Sequence, residues 1–120
     1  MSKLIERLQR ARQTNIESNG RTFTVRRPTD LEMYEIRGKI AQRELLVRFV
    51  VGWGAMTEID LGIPGGNPEI VKFDPELWEE WISDHPEHWD SIVSAVVDGY
   101  KSHKDALEES AKNSEPGSPD

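Results

Sequence analysis

Apolar residues recur at helical spacing over 2–13, where Leu4, Ile5, Leu8 and Ala11 are separated by charged residues. This pattern predicts a short amphipathic helix. A helix of that length is marginal alone in water, so it is expected to dock on the rest of the domain or on a neighbouring copy. Over 15–27 the pattern changes to a β-hairpin. Asn19-Gly20 is a strong turn signal, since both residues tolerate positive φ. Arg21-Thr22-Phe23-Thr24-Val25-Arg26 then alternates, with Phe23 and Val25 on the face of Arg21. Pro28 ends the strand, because it has no N–H to donate.

Thr29-Asp30-Leu31-Glu32 reads as a capping box at the start of a helix over 30–51. Leu31, Tyr34, Gly38, Ala41, Leu45 and Phe49 trace its stripe, and the end, Leu45 to Val51, is apolar nearly all round. Gly52-Trp53-Gly54 stops it. In the loop region 55–73, the segments 58–61 and 70–73 are read as short paired strands around a Gly/Pro/Asn turn. Asp74-Pro75 predicts the start of a helix over 75–83, with an acidic cap and Pro at its first position. His85-Pro86 breaks it. A last helix is predicted from near Pro86 to about Ala111, with a stripe through Trp89, Val93, Val96, Tyr100, His103 and Leu107.

The fold class expected from these elements is mainly α. It is a small helical domain with an N-terminal helix, a short β-hairpin and three principal helices near 30–51, 75–83 and 87–111. Residues 1–112 form the single domain, and 113–120, without a hydrophobic residue, form a disordered tail. The core is expected to contain Leu31, Leu45, Phe49, Leu77, Ile82, Trp89, Val93, Val96 and Tyr100.

Composition narrows the function. Hydrophobic residues make up 36% of the 120, so only one modest core is available. No run approaches the roughly 18 apolar residues of a membrane span. Without Cys there are neither disulfides nor thiolate metal sites. A cytoplasmic protein with no membrane partner is expected. The charge is asymmetric. Residues 1–48 carry eleven Lys/Arg against six Asp/Glu (+5), and residues 49–120 carry four against sixteen (−12), which sum to −7. The halves can attract each other within one fold, copies can associate head to tail, or an oppositely charged partner can dock. Arg26-Arg27 is the one basic doublet, which disfavours nucleic acid as a partner.

Catalytic chemistry finds little support. His85-Pro86-Glu87-His88 has a Pro between its histidines at a helix start, and no metal is assigned to it. The carboxylates from Glu76 to Asp90 read as a solvated face. Pro64-Gly65-Gly66-Asn67 lacks the Lys-Ser/Thr of a phosphate loop. We expect no catalytic residue and no cofactor. The aromatics carry more. The four Trp lie between Trp53 and Trp89, and most should be structural. Aromatics that remain exposed anchor interfaces, so Phe49, Trp53, Trp78 and Trp81 are the partner-binding candidates.

The chain resembles the tail assembly chaperones of long-tailed, siphovirus-like bacteriophages. The resemblance rests on Thr22-Phe23-Thr24-Val25-Arg26-Arg27-Pro28-Thr29-Asp30 and on Leu45-Leu46-Val47-Arg48-Phe49-Val50-Val51-Gly52-Trp53. It continues through Asp60-Leu61, Phe73-Asp74-Pro75-Glu76-Leu77, Trp81, Pro86-Glu87-His88-Trp89 and Ala111-Lys112-Asn113. Their order and spacing over 22–113 carry the match. The resemblance implies binding to the tape measure protein, a long helical protein that sets tail length, while tail tube subunits assemble around it. It implies action in the host cell cytoplasm and absence from the mature virion. Self-association and contact with the tail tube protein fit the same role. It also implies a second, longer product by programmed frameshift, since Ala111-Lys112-Asn113 can be encoded by a slippery run of A. The alternatives are a small acidic phage protein that inhibits a host or competing enzyme, and a minor structural tail protein.

Overall fold

The computed structural model describes residues 3–36 and 42–113. The 114–120 part of the expected tail, Gly38 and Ala41 lie outside the described residues. Helix α1 (Lys3–Ala11) leads through Arg12 into a hairpin of β1 (Gln13–Ser18) and β2 (Arg21–Arg26). The turn has φ of 48° at Asn19 and 82° at Gly20, the positive pair that a two-residue hairpin turn requires. It sets the register from Ser18 opposite Arg21 to Gln13 opposite Arg26.

The capping box closes as expected. The Thr29 N–H donates to Glu32 Oε1 at 2.9 Å, and the Glu32 N–H donates to Thr29 Oγ1 at 3.1 Å. From it run α2 (Asp30–Ile36) and, beyond the undescribed residues, α3 (Gln42–Val47). The expected helix over 30–51 does not reach its end. Arg48-Phe49 turns, and Val50–Trp53 forms β3, antiparallel to β2, with Phe23 opposite Trp53 and Val25 opposite Val50.

The domain is therefore mixed α/β, with a three-stranded antiparallel sheet in the order β1-β2-β3, rather than mainly α. The reason is visible in the run itself. A segment that is apolar on every side has no period to separate helix from strand. Its Val-rich end suits a pleated strand, and β2 offers it a free edge.

Asp74 caps α4 (Pro75–Ser83), accepting from the N–H groups of Glu76 and Leu77 at 2.9 and 3.2 Å. After the His85-Pro86 break, a 3-10 turn over Pro86–His88 feeds α5 (Trp89–Asn113). The strands expected at 58–61 and 70–73 reduce to one bridge, Thr57 to Ile70. Instead, Asp60 Oδ2 accepts from the Thr57 N–H and hydroxyl at 2.9 and 3.0 Å, winding a local turn.

One sheet face is polar and wet. The other presents Phe23 and Val25 to α4 and α5, and the core gathers there with Leu45, Phe49, Met56, Trp78, Ile82, Ile92 and Val96. Gly99 of α5 faces Arg27, whose Cβ would lie 3.2 Å from a Cβ added at Gly99, so the helix can sit close to the chain leaving β2.

Three expected core residues are misplaced. Leu31 is 68% exposed and Leu77 40%. Tyr100 is only half-buried, and its hydroxyl donates to Asp30 at 2.8 Å. On α4 the buried face is set by Trp78, Trp81 and Ile82, which leaves Leu77 beside it. Among the described residues, no helix is long and apolar enough to cross a membrane.

Candidate functional site

The candidate partner residues fall mostly inside the core. Phe49, Trp78 and Trp81 are buried, and Trp53 is half-buried. Every Trp donates its indole N–H to a main-chain carbonyl. Trp53 reaches Val71 (3.0 Å), Trp78 reaches Leu46 (3.1 Å), Trp81 reaches Asp60 (3.2 Å) and Trp89 reaches Ile82 (2.7 Å). Trp53 and Trp81 thus tie the 55–73 segment to the core, and Trp78 and Trp89 tie the ends of α3 and α4, consistent with the general preference of buried Trp for a partner. Phe49 carries the Arg26 guanidinium 4.7 Å from its ring centre.

The surface above these rings is open. Leu46 and Val47 of α3, Ile82 and Ser83 of α4, and Trp89 and Val93 of α5 line a groove of about 260 Å³, with Arg43 at its rim. Arg43 ion-pairs with Glu79 across the rim. A shallower hollow adjoins it, lined by Val47, Val50, Val51 and Phe73. Trp78 ties to this surface through the Leu46 carbonyl, and neither it nor Phe49 lines the groove. Its lining residues were legible as a class, since the apolar 45–51 run exceeds what one face of a helix needs. Their meeting with Ile82 and Val93 was not, because it depends on how three helices pack.

Two polar clusters are structural rather than open to a substrate. Ser18 Oγ lies 2.9 Å from His88 Nδ1, a spacing that a nucleophile and its base could share. Both are buried, so the pair acts as a core hydrogen bond between β1 and the 3-10 turn. His85 stacks on Trp81 with centroids 4.0 Å apart, and its Nδ1 lies 2.6 Å from the Trp81 carbonyl oxygen. Among the described residues, no group of three His, Asp or Glu could hold a metal ion.

Burial holds the His88 pKa below its ordinary 6.5, with Glu87 opposing and the neighbouring His85 and Arg21 lowering it further. The folded protein therefore keeps His88 neutral where the unfolded chain protonates it. Its contribution is complete above pH 6.5 and is lost as pH falls below that value. Urea titrations should show stability dropping between pH 7 and about 5.5, above the range where carboxylates protonate. His88→Gln should flatten that segment, and an unchanged slope would mean that other groups set it.

Arg21 forms a further, half-buried polar cluster. Its guanidinium lies 5.7 Å from the Trp81 ring centre and 3.3 Å from Asp60. The Thr57 hydrogen bonds, then that to Arg21, hold the Asp60 pKa below its ordinary value. These contacts fix the loop that carries Met56 into the core. They leave the α3–α4–α5 groove as the best-formed apolar binding surface described. No family model, curated protein or solved structure matches this chain.

Proposed function

We propose that this chain binds an amphipathic helix of another protein, and that it acts as a phage tail assembly chaperone for the tape measure protein. The observation that carries the reading is the open groove of Leu46, Val47, Ile82, Trp89 and Val93 between three helices. Helix-in-groove recognition needs such an apolar trough with anchors set by surrounding helices. A long client helix left bare in the host cytoplasm would aggregate through its apolar stripe. Covering that stripe until tube subunits replace the cover, and then leaving the particle, is the work assigned here. Catalysis has no part in it.

The reading moves the contact surface relative to the aromatic candidates. Phe49, Trp78 and Trp81 do not line the groove, while Val47 and Val93 do and meet the client. Co-expression with the tape measure protein should raise that protein's soluble fraction severalfold. Val47→Glu and Val93→Glu, each checked for native circular dichroism, should remove most of the gain. Full solubilisation by both folded variants would rule this groove out.

A further inference from the structure

The N-terminal helix is the largest feature that the fold leaves unexplained. No residue of α1 is buried, and Leu4, Ile5 and Leu8 are 65%, 48% and 58% exposed. The same helix and the residue after it are basic, with Lys3, Arg7, Arg10 and Arg12 against Glu6. The exposed side of α4 and the start of α5, next to the groove, have the opposite sign, and the basic Arg43 at the rim is already paired with Glu79. Between Asp74 and Asp98 there is no Lys or Arg, while Glu76, Glu80, Asp84 and Asp90 stand exposed. Among the described residues, none of these four has an ion-pair partner.

We infer that α1 of one copy lies in the α3–α4–α5 groove of a second copy, apolar stripe inward and basic residues toward the exposed carboxylates of α4 and α5. The inference rests on the groove being a helix-binding site, and it assigns that site a regulator.

The spacing suits one turn of α1. The groove side of α5, from Trp89 to Val93, spans about 6 Å. Leu4 and Leu8 are four apart, like Trp89 and Val93, so two apolar rows can mesh.

A chain cannot place α1 in its own groove. Only Arg12 separates α1 from β1, and the Arg27 N–H holds the Arg12 carbonyl at 2.9 Å. The root of α1 adjoins a hollow lined by Ala11, Thr14, Arg27, Ala95 and Gly99. Ala95 and Val93 are two residues apart, about 200° around the helix. The root and the groove therefore lie on nearly opposite sides of α5, and α1 must be received by a neighbour.

The contact uses two different surfaces, so each copy offers one of each, and assembly continues until a ring closes or a filament grows. It also fills the surface assigned to the client. Self-assembly and client binding then exclude each other, and a client helix disassembles the chaperone as it binds.

Sedimentation of the full-length chain tests this. The wild type should exceed its 13.7 kDa monomer mass increasingly with concentration, and should do so less at 0.5 M than at 0.05 M salt. Leu8→Glu, on an exposed helix, and Val93→Glu, in the groove, should each stay monomeric. Mixed together they should form a 1:1 dimer that grows no further, because one variant retains the groove and the other retains α1. Leu8→Glu should bind the client at least tenfold more tightly than associated wild type. A wild type that is monomeric throughout, a Leu8→Glu chain that still associates, or an inert mixture overturns the inference. If the client binds a monomeric wild type, only the self-docking fails. If the chain associates as described but no client is solubilised, only the chaperone reading fails.

Discussion

Trp78→Ala is expected to lower stability by about 4 kcal/mol and the melting temperature by about 15 °C. Trp78 is fully buried, with Phe23 edge-on at 5.4 Å between ring centres and Phe73 and Trp81 further round it. Removing the ring leaves a cavity bounded by β2, α4 and the loop before it, and these elements cannot all move inward together. The Leu46 carbonyl also loses its indole donor. Trp78→Phe separates the two effects. It keeps most of the packing and should cost about 1–3 kcal/mol for the unpaired carbonyl and the smaller ring. Leu77→Ala is the control, since this half-exposed neighbour should cost under about 1 kcal/mol. Urea unfolding of the three variants measures the set. Equal losses at positions 77 and 78 would mean that α4 buries a different face. The total stability of a chain this size is about 6–18 kcal/mol, so the loss is large enough to populate unfolded protein near the melting range.

The second large effect is expected at Glu32. Its carboxylate receives both Arg26 nitrogens at 2.7 Å, the Thr29 N–H at 2.9 Å and Arg48 at 3.4 Å. The Arg26 hydrogen bonds above all, then the Thr29 N–H and the two positive charges, outweigh desolvation and hold its pKa down to about 2 from 4.5. A folded value below the unfolded one means stability that is complete above pH 4.5 and lost as pH falls toward 2. The shift corresponds to about 3 kcal/mol as an upper figure. The flanking guanidiniums are partly wet, so about 2 kcal/mol is expected in practice. Glu32→Gln preserves an oxygen for the Thr29 N–H but removes the charge that the two arginines share. Its deficit against wild type should be about 2 kcal/mol at pH 7 and less than half of that at pH 3. A deficit independent of pH would assign the cost to shape rather than to charge.

The turns and caps were legible because each depends on a few adjacent residues. Asn19-Gly20, Thr29 with Glu32, Asp74-Pro75 and His85-Pro86 all act where sequence chemistry says they should. Long-range choices were not. Val50–Trp53 is a strand because β2 lies beside it, a fact that no window around residue 50 contains. Leu77 and Trp78 are equally apolar neighbours, and which one faces inward depends on where Phe23 stands. Ser18 and His88 have no relation until the hairpin and the 3-10 turn meet. The groove was half legible. The apolar excess at 45–51 marks its α3 wall, while Ile82 and Val93 looked like ordinary core positions. The aromatic candidates anchor an interface only if exposed, and Phe49, Trp78 and Trp81 serve the interior instead.

The two-residue turn at Asn19-Gly20 has a consequence for the order of folding. The hairpin from Gln13 to Arg26 closes over two residues and can form within about 1–10 microseconds. The β3 strand must instead be brought back across the α2–α3 region, and the contact between Ser18 and His88 closes 70 residues of chain. Contacts of such separation form late, because ordering the intervening chain precedes any gain from them. The hairpin therefore waits with Phe23 and Val25 uncovered and with the β2 edge unpaired. During that interval the chain exposes the kind of surface that invites aggregation. The rate at which Val50–Trp53 arrives, more than the final stability, should set how much of the protein is recovered at high expression.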